Sequence, residues 1–336
     1  MKTSVHSTSE LAERLGLSRW TVSRALNGQP GVNAETAERV REAAREAGFA
    51  PSILGRGLRS GKTDLIGVVA PDLEDFQLTR KISVLRDRIE EAGWHGIFQI
   101  TDSSAESERD ALERLSAIRC AGVINFGSRL EYNETALSRF VSAGIPVVMI
   151  DPEQPGSDRV VLTDRAAALR EALKHLHSLG HREFAVLGIN AQTTYGKQRV
   201  EGLLKTGRQL KLDVKKALRF FSRDEKLDDF EAGAAMIRAV LSAPGKTPSA
   251  VIAHNDRTAL GALSVLQEHG PLVPDEISLV GYDNTDFCPY TTPALTTLDP
   301  KSSDLVHAAM DLLLSPEPGR RVIVPQMVIR QSTAAH

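Results

Sequence analysis

From Leu65 to Asp283 the chain repeats one pattern: a short apolar run, a longer amphipathic stretch, then another apolar run. The runs include "LIGVVA", "HGIFQI", "AGVINFG", "IPVVMID", "RVVLTD", "EFAVLGI", "ALRFF", "SAVIAH" and "ISLVGYD". Residues 80–92, 105–118, 164–179, 198–210, 229–242 and 255–268 between them have helical patterning. This is the βα alternation of doubly wound parallel sheets, so an α/β class is predicted. The character breaks near residue 160, and the late segments "LTTLDPKSSDLVHAAMDLLL" and "RVIVPQMVIRQST" read as the chain returning across both halves. At 336 residues the chain exceeds one small core, and about 100–200 residues per domain gives two or three units.

Composition narrows the function. A hydrophobic share of 41% and a charged share of 25% are those of an ordinary globular protein. No stretch resembles a signal peptide or a membrane span, so a cytoplasmic protein without a membrane partner is expected. Cys120 and Cys288 stand in unrelated contexts and give neither a disulfide framework nor a metal motif. The net charge of −2 hides an asymmetry: residues 1–62 hold ten basic and six acidic side chains, whereas the rest hold 31 and 37. A positive head on a negative body points to a polyanionic partner for the head.

Local signals in that head predict three helices. Ser7 precedes Glu10 by the capping-box spacing, which starts a helix at Thr8 and carries it to about Leu15, with Leu11, Ala12 and Leu15 inward. Gly16 ends it, and Ser18 caps a second helix from Arg19 to Asn27. Asn33 caps a third, Ala34 to Ala47, which Gly48 terminates. On the second helix Val22, Ala25 and Leu26 form the apolar stripe, leaving Arg19, Trp20, Ser23 and Arg24 to point elsewhere. A helix, a glycine turn and an arginine-rich second helix form a helix-turn-helix, whose second helix enters the major groove. The arginine fork meets two guanine acceptors at once, and Ser and Thr serve bases or phosphates. A solvated basic face with Trp20 as partial core accounts for the same residues.

The blocks "LAERLGLSRWTVSRALNG", "VNAETAERVREAAREAGFAPS" and "GRGLRSGKTDLIGVVAPD" resemble the LacI/GalR (lactose-repressor) family of bacterial transcription regulators. The resemblance continues through "LGHREFAVLG", "AHNDRTALGAL" and "VPDEISLVGYDNTD" almost to the C-terminus. It implies a helix-turn-helix head (1–50), a hinge (51–63) and an effector-binding and dimerisation body (64–336) of type I periplasmic-binding-protein fold. Lobe 1 is expected over about 64–162 and 291–322, and lobe 2 over about 163–290 and 323–336. Arg19 and Trp20 take the positions that vary with operator sequence, and Ser23 and Arg24 the following base and phosphate positions. Ser18, Thr21 and Asn27 complete the set. Trp20 departs from the smaller or more polar residue common there, and two placements are open: on a thymine methyl, or folded back onto the head. In the hinge Leu58 takes the position of the minor-groove wedge, with Arg56 and Arg59 toward phosphate. Gly55 and Gly57 each disfavour helix by about 1 kcal/mol relative to alanine, so coupling of hinge folding to DNA binding is expected, with a plain flexible linker over 51–63 as the competing reading.

In the body the resemblance places Asp164, Arg199, Asn255 and Asp283 among the polar effector residues at the strand ends, with Thr193 and Tyr195 on the loop before Arg199. Carboxylates accept sugar hydroxyls and arginine donates to ring or hydroxyl oxygens, so this set suits a polyhydroxy ligand. Asp256 and Asp283 serving only as caps is the competing reading. In the first lobe "PDLEDFQLT" replaces the family's paired aromatics, leaving Asp75, Phe76 and Gln77 at that place.

A dehydrogenase shares the alternation, but Gly55, Gly57 and Gly61 have the wrong spacing and precede the first body strand. A metal site at His175, His177 and His181 fails because neighbours two apart on a helix face different ways and Gly180 intervenes. A periplasmic sugar-binding protein has no use for the basic head. The expectation is a non-enzymatic repressor of carbohydrate-metabolism genes without cofactor or metal. A homodimer binds a pseudo-palindromic double-stranded operator under control of a small effector, a sugar on family grounds or else a nucleobase-type corepressor.

Overall fold

A computed structural model describes residues 5, 7–49, 63–71, 76–130, 135–154, 158–269 and 271–336. The chain divides into two compact units, Met1–Leu65 with Ala117–Ala121 and Ile66–Ser116 with Gly122–His336.

The first unit contains helices α1 (Thr8–Leu15), α2 (Arg19–Leu26) and α3 (Ala34–Glu46). Each starts at a side-chain cap. Ser7 Oγ accepts from the Glu10 amide at 3.1 Å, Ser18 Oγ from Thr21 at 3.0 Å and Asn33 Oδ1 from Thr36 at 2.7 Å. Gly16 ends α1 in the left-handed region at φ 65°, where a side chain is disfavoured. Leu11, Val22 and Val40 are completely buried, with Ala12, Ala25, Ala37 and Ala44 packed among them. Burying each aliphatic chain contributes on the order of 2 kcal/mol. The small alanines let three short helices close on one another.

The second unit is built on two parallel sheets. Strands β1 (Leu65–Ala70), β2 (His95–Ile100), β3 (Gly122–Phe126), β4 (Val147–Ile150), β5 (Arg159–Thr163) and β11 (Gly319–Ile323) form the first, in the order β11-β5-β4-β3-β1-β2. Strands β6 (Phe184–Leu187), β7 (Leu218–Phe221), β8 (Ala250–Ala253) and β9 (Ser278–Val280) form the second, in the order β7-β6-β8-β9. Their cores are apolar on both faces. In the second sheet Ala185, Leu187, Val251 and Leu279 pack toward helices Asp229–Ser242 and Asp256–His269. Phe184, Val186, Ile252 and Val280 pack toward Arg165–Ser178 and Thr194–Gln209.

The return of the chain differs from expectation at one place. Strands β10 (Thr297–Asp299) and β12 (Gln326–Val328) pair antiparallel, and a bridge from Thr296 to Val280 ties this ribbon to the second sheet. Leu295 and Leu298 are buried in the second lobe's cores, so the segment from 294 to 299 packs there rather than in the first lobe. The late chain joins the first lobe with helix Ser302–Leu314 and β11. An open parallel sheet offers its crevice beyond the carboxyl ends of the strands, where neighbours leave in opposite directions. Those points are β1/β3 in the first sheet and β6/β8 in the second.

Candidate DNA-reading helix and effector cleft

On α2 and its two caps, Ser18, Arg19 and Trp20 are exposed, whereas Thr21, Ser23, Arg24 and Asn27 are half-buried. The Ser18 hydroxyl is engaged by the helix cap and lies 2.8 Å from the Thr21 hydroxyl. Asn27 turns back, donating from Nδ2 to the Ser23 carbonyl at 2.6 Å. Arg24 donates from Nε to the Pro30 carbonyl at 2.7 Å and from Nη2 to the same oxygen, and its guanidinium stacks 4.8 Å from the Trp20 ring centre. Trp20 thus leans on a neighbour of its own helix while 57% of it stays exposed. Arg56, Leu58 and Arg59 of the hinge, and Asp75, lie outside the described residues.

The strand ends of the second unit open on a cleft of about 740 Å³. Of the predicted effector residues, Phe76, Gln77, Thr193, Tyr195, Arg199, Asn255 and Asp283 line it. Asp164 does not. Its carboxylate caps helix Arg165–Ser178 by accepting from the Ala167 amide at 2.8 Å, and it faces a separate cavity of about 350 Å³. The next residue, Arg165, is the one that enters the cleft.

Several lining groups are already engaged. Gln77 is buried, donating from Nε2 to the Asp283 carbonyl at 2.6 Å and accepting from Ser302 Oγ at 3.0 Å, so it ties the first lobe to the second. Thr193 caps its helix by accepting from the Gly196 amide at 3.0 Å. Asn255 accepts from the Thr258 amide at 2.8 Å and donates to Asp229 at 2.7 Å. Asp283 has a backbone φ of 114°, a left-handed value costly for a non-glycine residue. Asp256, one of the two suspected caps, is instead a fully buried hub. It accepts from the Thr285 amide at 2.8 Å, from the Cys288 thiol at 3.0 Å and from the Thr285 and Thr297 hydroxyls.

Sequence reasoning missed a cluster of charge around these residues. Arg165 forms a bidentate pair with Asp151, at 3.0 and 2.9 Å, and both are largely buried. Burial opposes the Asp151 charge, but the Arg165 guanidinium and the Lys81 charge overcome this and hold its carboxyl below the ordinary value. Arg165 also lies 4.2 Å from the Tyr195 ring centre, and the Tyr195 hydroxyl donates to the Asp151 carbonyl. On the second lobe Arg223 pairs with Asp229 at 2.6 Å, and Arg199 donates to the His254 carbonyl at 3.0 Å while stacking 4.3 Å from the Tyr282 ring. Burial, reinforced by Arg199, pushes the His254 imidazole down to about 4 and keeps it neutral near pH 7. Gly188 makes room for it: φ is 74°, and a Cβ would stand 2.6 Å from His254 Nδ1. For two of these residues the available signal was position, since His254 directly follows a strand and Arg165 flanks Asp164, which does.

A helix-turn-helix unit and a two-lobed, periplasmic-binding-protein-like α/β unit on one chain define the class of DNA-binding regulators with a ligand-binding body. Residues 9–52 match the profile of bacterial regulatory proteins, lacI family, and residues 173–333 that of a periplasmic binding protein-like domain. The chain therefore carries a lacI-family regulatory domain at its N-terminal end and a periplasmic binding protein-like domain behind it. It is 27% identical to the HTH-type transcriptional regulator DegA of Bacillus subtilis (strain 168), with 99% of each chain covered. It is 28% identical to the HTH-type transcriptional repressor PurR of Actinobacillus pleuropneumoniae (serotype 3, strain JL03), over 96% of this chain and 97% of that one. The lac repressor dimer bound to operator and the anti-inducer ONPF has the same fold, with a TM-score of 0.82 at 24% identity, covering 98% of this chain and 99% of that one. No helix among the described residues is long and apolar enough to cross a membrane.

Proposed function

We propose that this chain is a cytoplasmic, non-enzymatic repressor that binds a pseudo-palindromic operator as a homodimer and is controlled by a small hydroxylated effector in the cleft. Residues 1–50 read DNA, 51–63 form the hinge, and 64–336 bind effector and dimerise. A symmetric dimer reads a symmetric site, one half-site per head. The observation that carries the reading is α2 itself: a capped helix that buries Val22 and Ala25 and leaves Arg19 and Trp20 outward. On it Arg19, Trp20, Ser23 and Arg24 contact bases and phosphates, supported by Ser18, Thr21 and Asn27, while Leu58 wedges the minor groove between Arg56 and Arg59. Thr193, Tyr195, Arg199, Asn255 and Asp283, with Phe76 and Gln77 opposite, surround the effector. The effector shifts the lobe arrangement only by binding its two states unequally.

Selection of bound sequences from a randomised duplex pool, at one fixed moderate salt, tests the reading. A recovered palindrome supports it, and sequence-independent binding overturns it. Arg24→Ala is expected to weaken operator binding about tenfold or more and leave effector binding intact. Asp283→Ala is expected to abolish the effector response while operator binding persists.

A further inference from the structure

The cleft contains more cationic charge than its own carboxylates neutralise. Arg165 is matched by Asp151 and Arg223 by Asp229. Arg199 and Arg257, from the helices Thr194–Gln209 and Asp256–His269, form no ion pair among the described residues. Both are half-buried, and each has its guanidinium against an aromatic ring, Arg199 on Tyr282 at 4.3 Å and Arg257 on Phe230 at 4.9 Å. Those rings fix the planes of the guanidinium groups without neutralising them. Arg199 makes one hydrogen bond, to the His254 carbonyl, and the Nε groups of both arginines have no partner among the described residues. The same wall holds His254, neutral because it is buried beside Arg199, and therefore adds no further charge. A guanidinium held flat in a partly dry wall presents paired donors to one chemistry above others, the two oxygens of a carboxylate or phosphate.

We propose that the effector is a hydroxylated oxyanion: a small polyol carrying a carboxylate or a phosphate, with its charged group against Arg199 and Arg257 and its hydroxyls toward Asp283. A neutral sugar leaves both guanidinium groups uncompensated, so charge, more than ring shape, sets specificity. The proposal rests on the reading of the chain as an effector-controlled repressor.

Calorimetry on the full-length protein with glucose, glucuronate and glucose 6-phosphate measures the effect of the anion on one scaffold, and operator affinity is read in parallel with each compound. At least one of the two anions is expected to bind at least tenfold more tightly than glucose, and which of them does so separates carboxylate from phosphate. Arg257→Gln, which also keeps a polar side chain there, is expected to lose about tenfold or more of that affinity and leave ligand-free operator binding unchanged. Binding of glucose as tight as that of either anion, binding of none of the three, or unaltered anion binding by Arg257→Gln overturns the proposal and leaves the repressor reading standing. If a broad panel of neutral and anionic metabolites leaves operator affinity unchanged, the repressor reading fails with it.

Discussion

Arg165 and Arg199 lie over tyrosine rings in the same cleft, at 4.2 and 4.3 Å, yet they are held in opposite ways. Arg165 has a complete carboxylate partner, a bidentate pair with Asp151 that is buried on both sides. Among the described residues Arg199 has a ring and a single carbonyl. The first arrangement satisfies the cation inside the protein, so its work is structural: it fixes the point where β5 gives way to the helix Arg165–Ser178. The second leaves donors directed at whatever enters. A cationic side chain in a cleft is therefore no evidence of ligand binding until its partners have been counted.

The largest expected effect breaks the satisfied side of this comparison. Asp151→Ala leaves Arg165 buried without its partner and is expected to cost about 3–5 kcal/mol of stability, read from urea unfolding. The same pair weakens in acid. Because the folded pKa of Asp151 is depressed, its contribution is present above the unfolded value and is lost as pH falls through the folded one.

A second prediction concerns the unsatisfied side. His254 stays neutral in the fold down to about pH 4, whereas the unfolded chain takes up the proton nearer 6.5. Stability is therefore lost as pH falls between those values, by on the order of 2 kcal/mol from about pH 7.5 to about pH 5. Comparison of unfolding midpoints at the two pH values should show a smaller drop in His254→Gln. An identical drop would mean that other groups carry the dependence.

Tyr195→Phe makes the smallest change. It removes only the hydroxyl that donates to the Asp151 carbonyl, and about 1 kcal/mol of stability should go with it while the Arg165 stack persists. A larger loss would show that the hydroxyl, rather than the ring, fixes this corner.

The head was legible because its signals are local. Ser7, Ser18 and Asn33 each stand immediately before a helix, and the structure uses each as a cap that accepts from the amide three residues on. The sheets were legible from their apolar runs, since a strand buried on both faces has to be written almost wholly in apolar residues. The cleft was legible only in part. Strand ends point at the crevice, which brings Asn255 and Asp283 to the right wall, but one residue of phase decides whether Asp164 or Arg165 enters. Lys81, Arg223 and Arg257 come from elements far apart in sequence, and only the topology brings them together. The segment from 294 to 299 escaped for a related reason: Leu295 and Leu298 are apolar in a way that suits either lobe.

Gln77 gives the two halves of the cleft different sensitivities. It joins the lobes through an uncharged amide, and the Arg80–Asp286 pair beside it, at 3.8 Å, is exposed and so contributes little. Amide hydrogen bonds respond weakly to dissolved ions, whereas long-range attraction of a charged molecule is screened by them. Raising the ionic strength should therefore slow the capture of an anionic effector without loosening the contact that brings the lobes together. How fast the cleft fills and how firmly it stays shut can then be varied independently in one preparation.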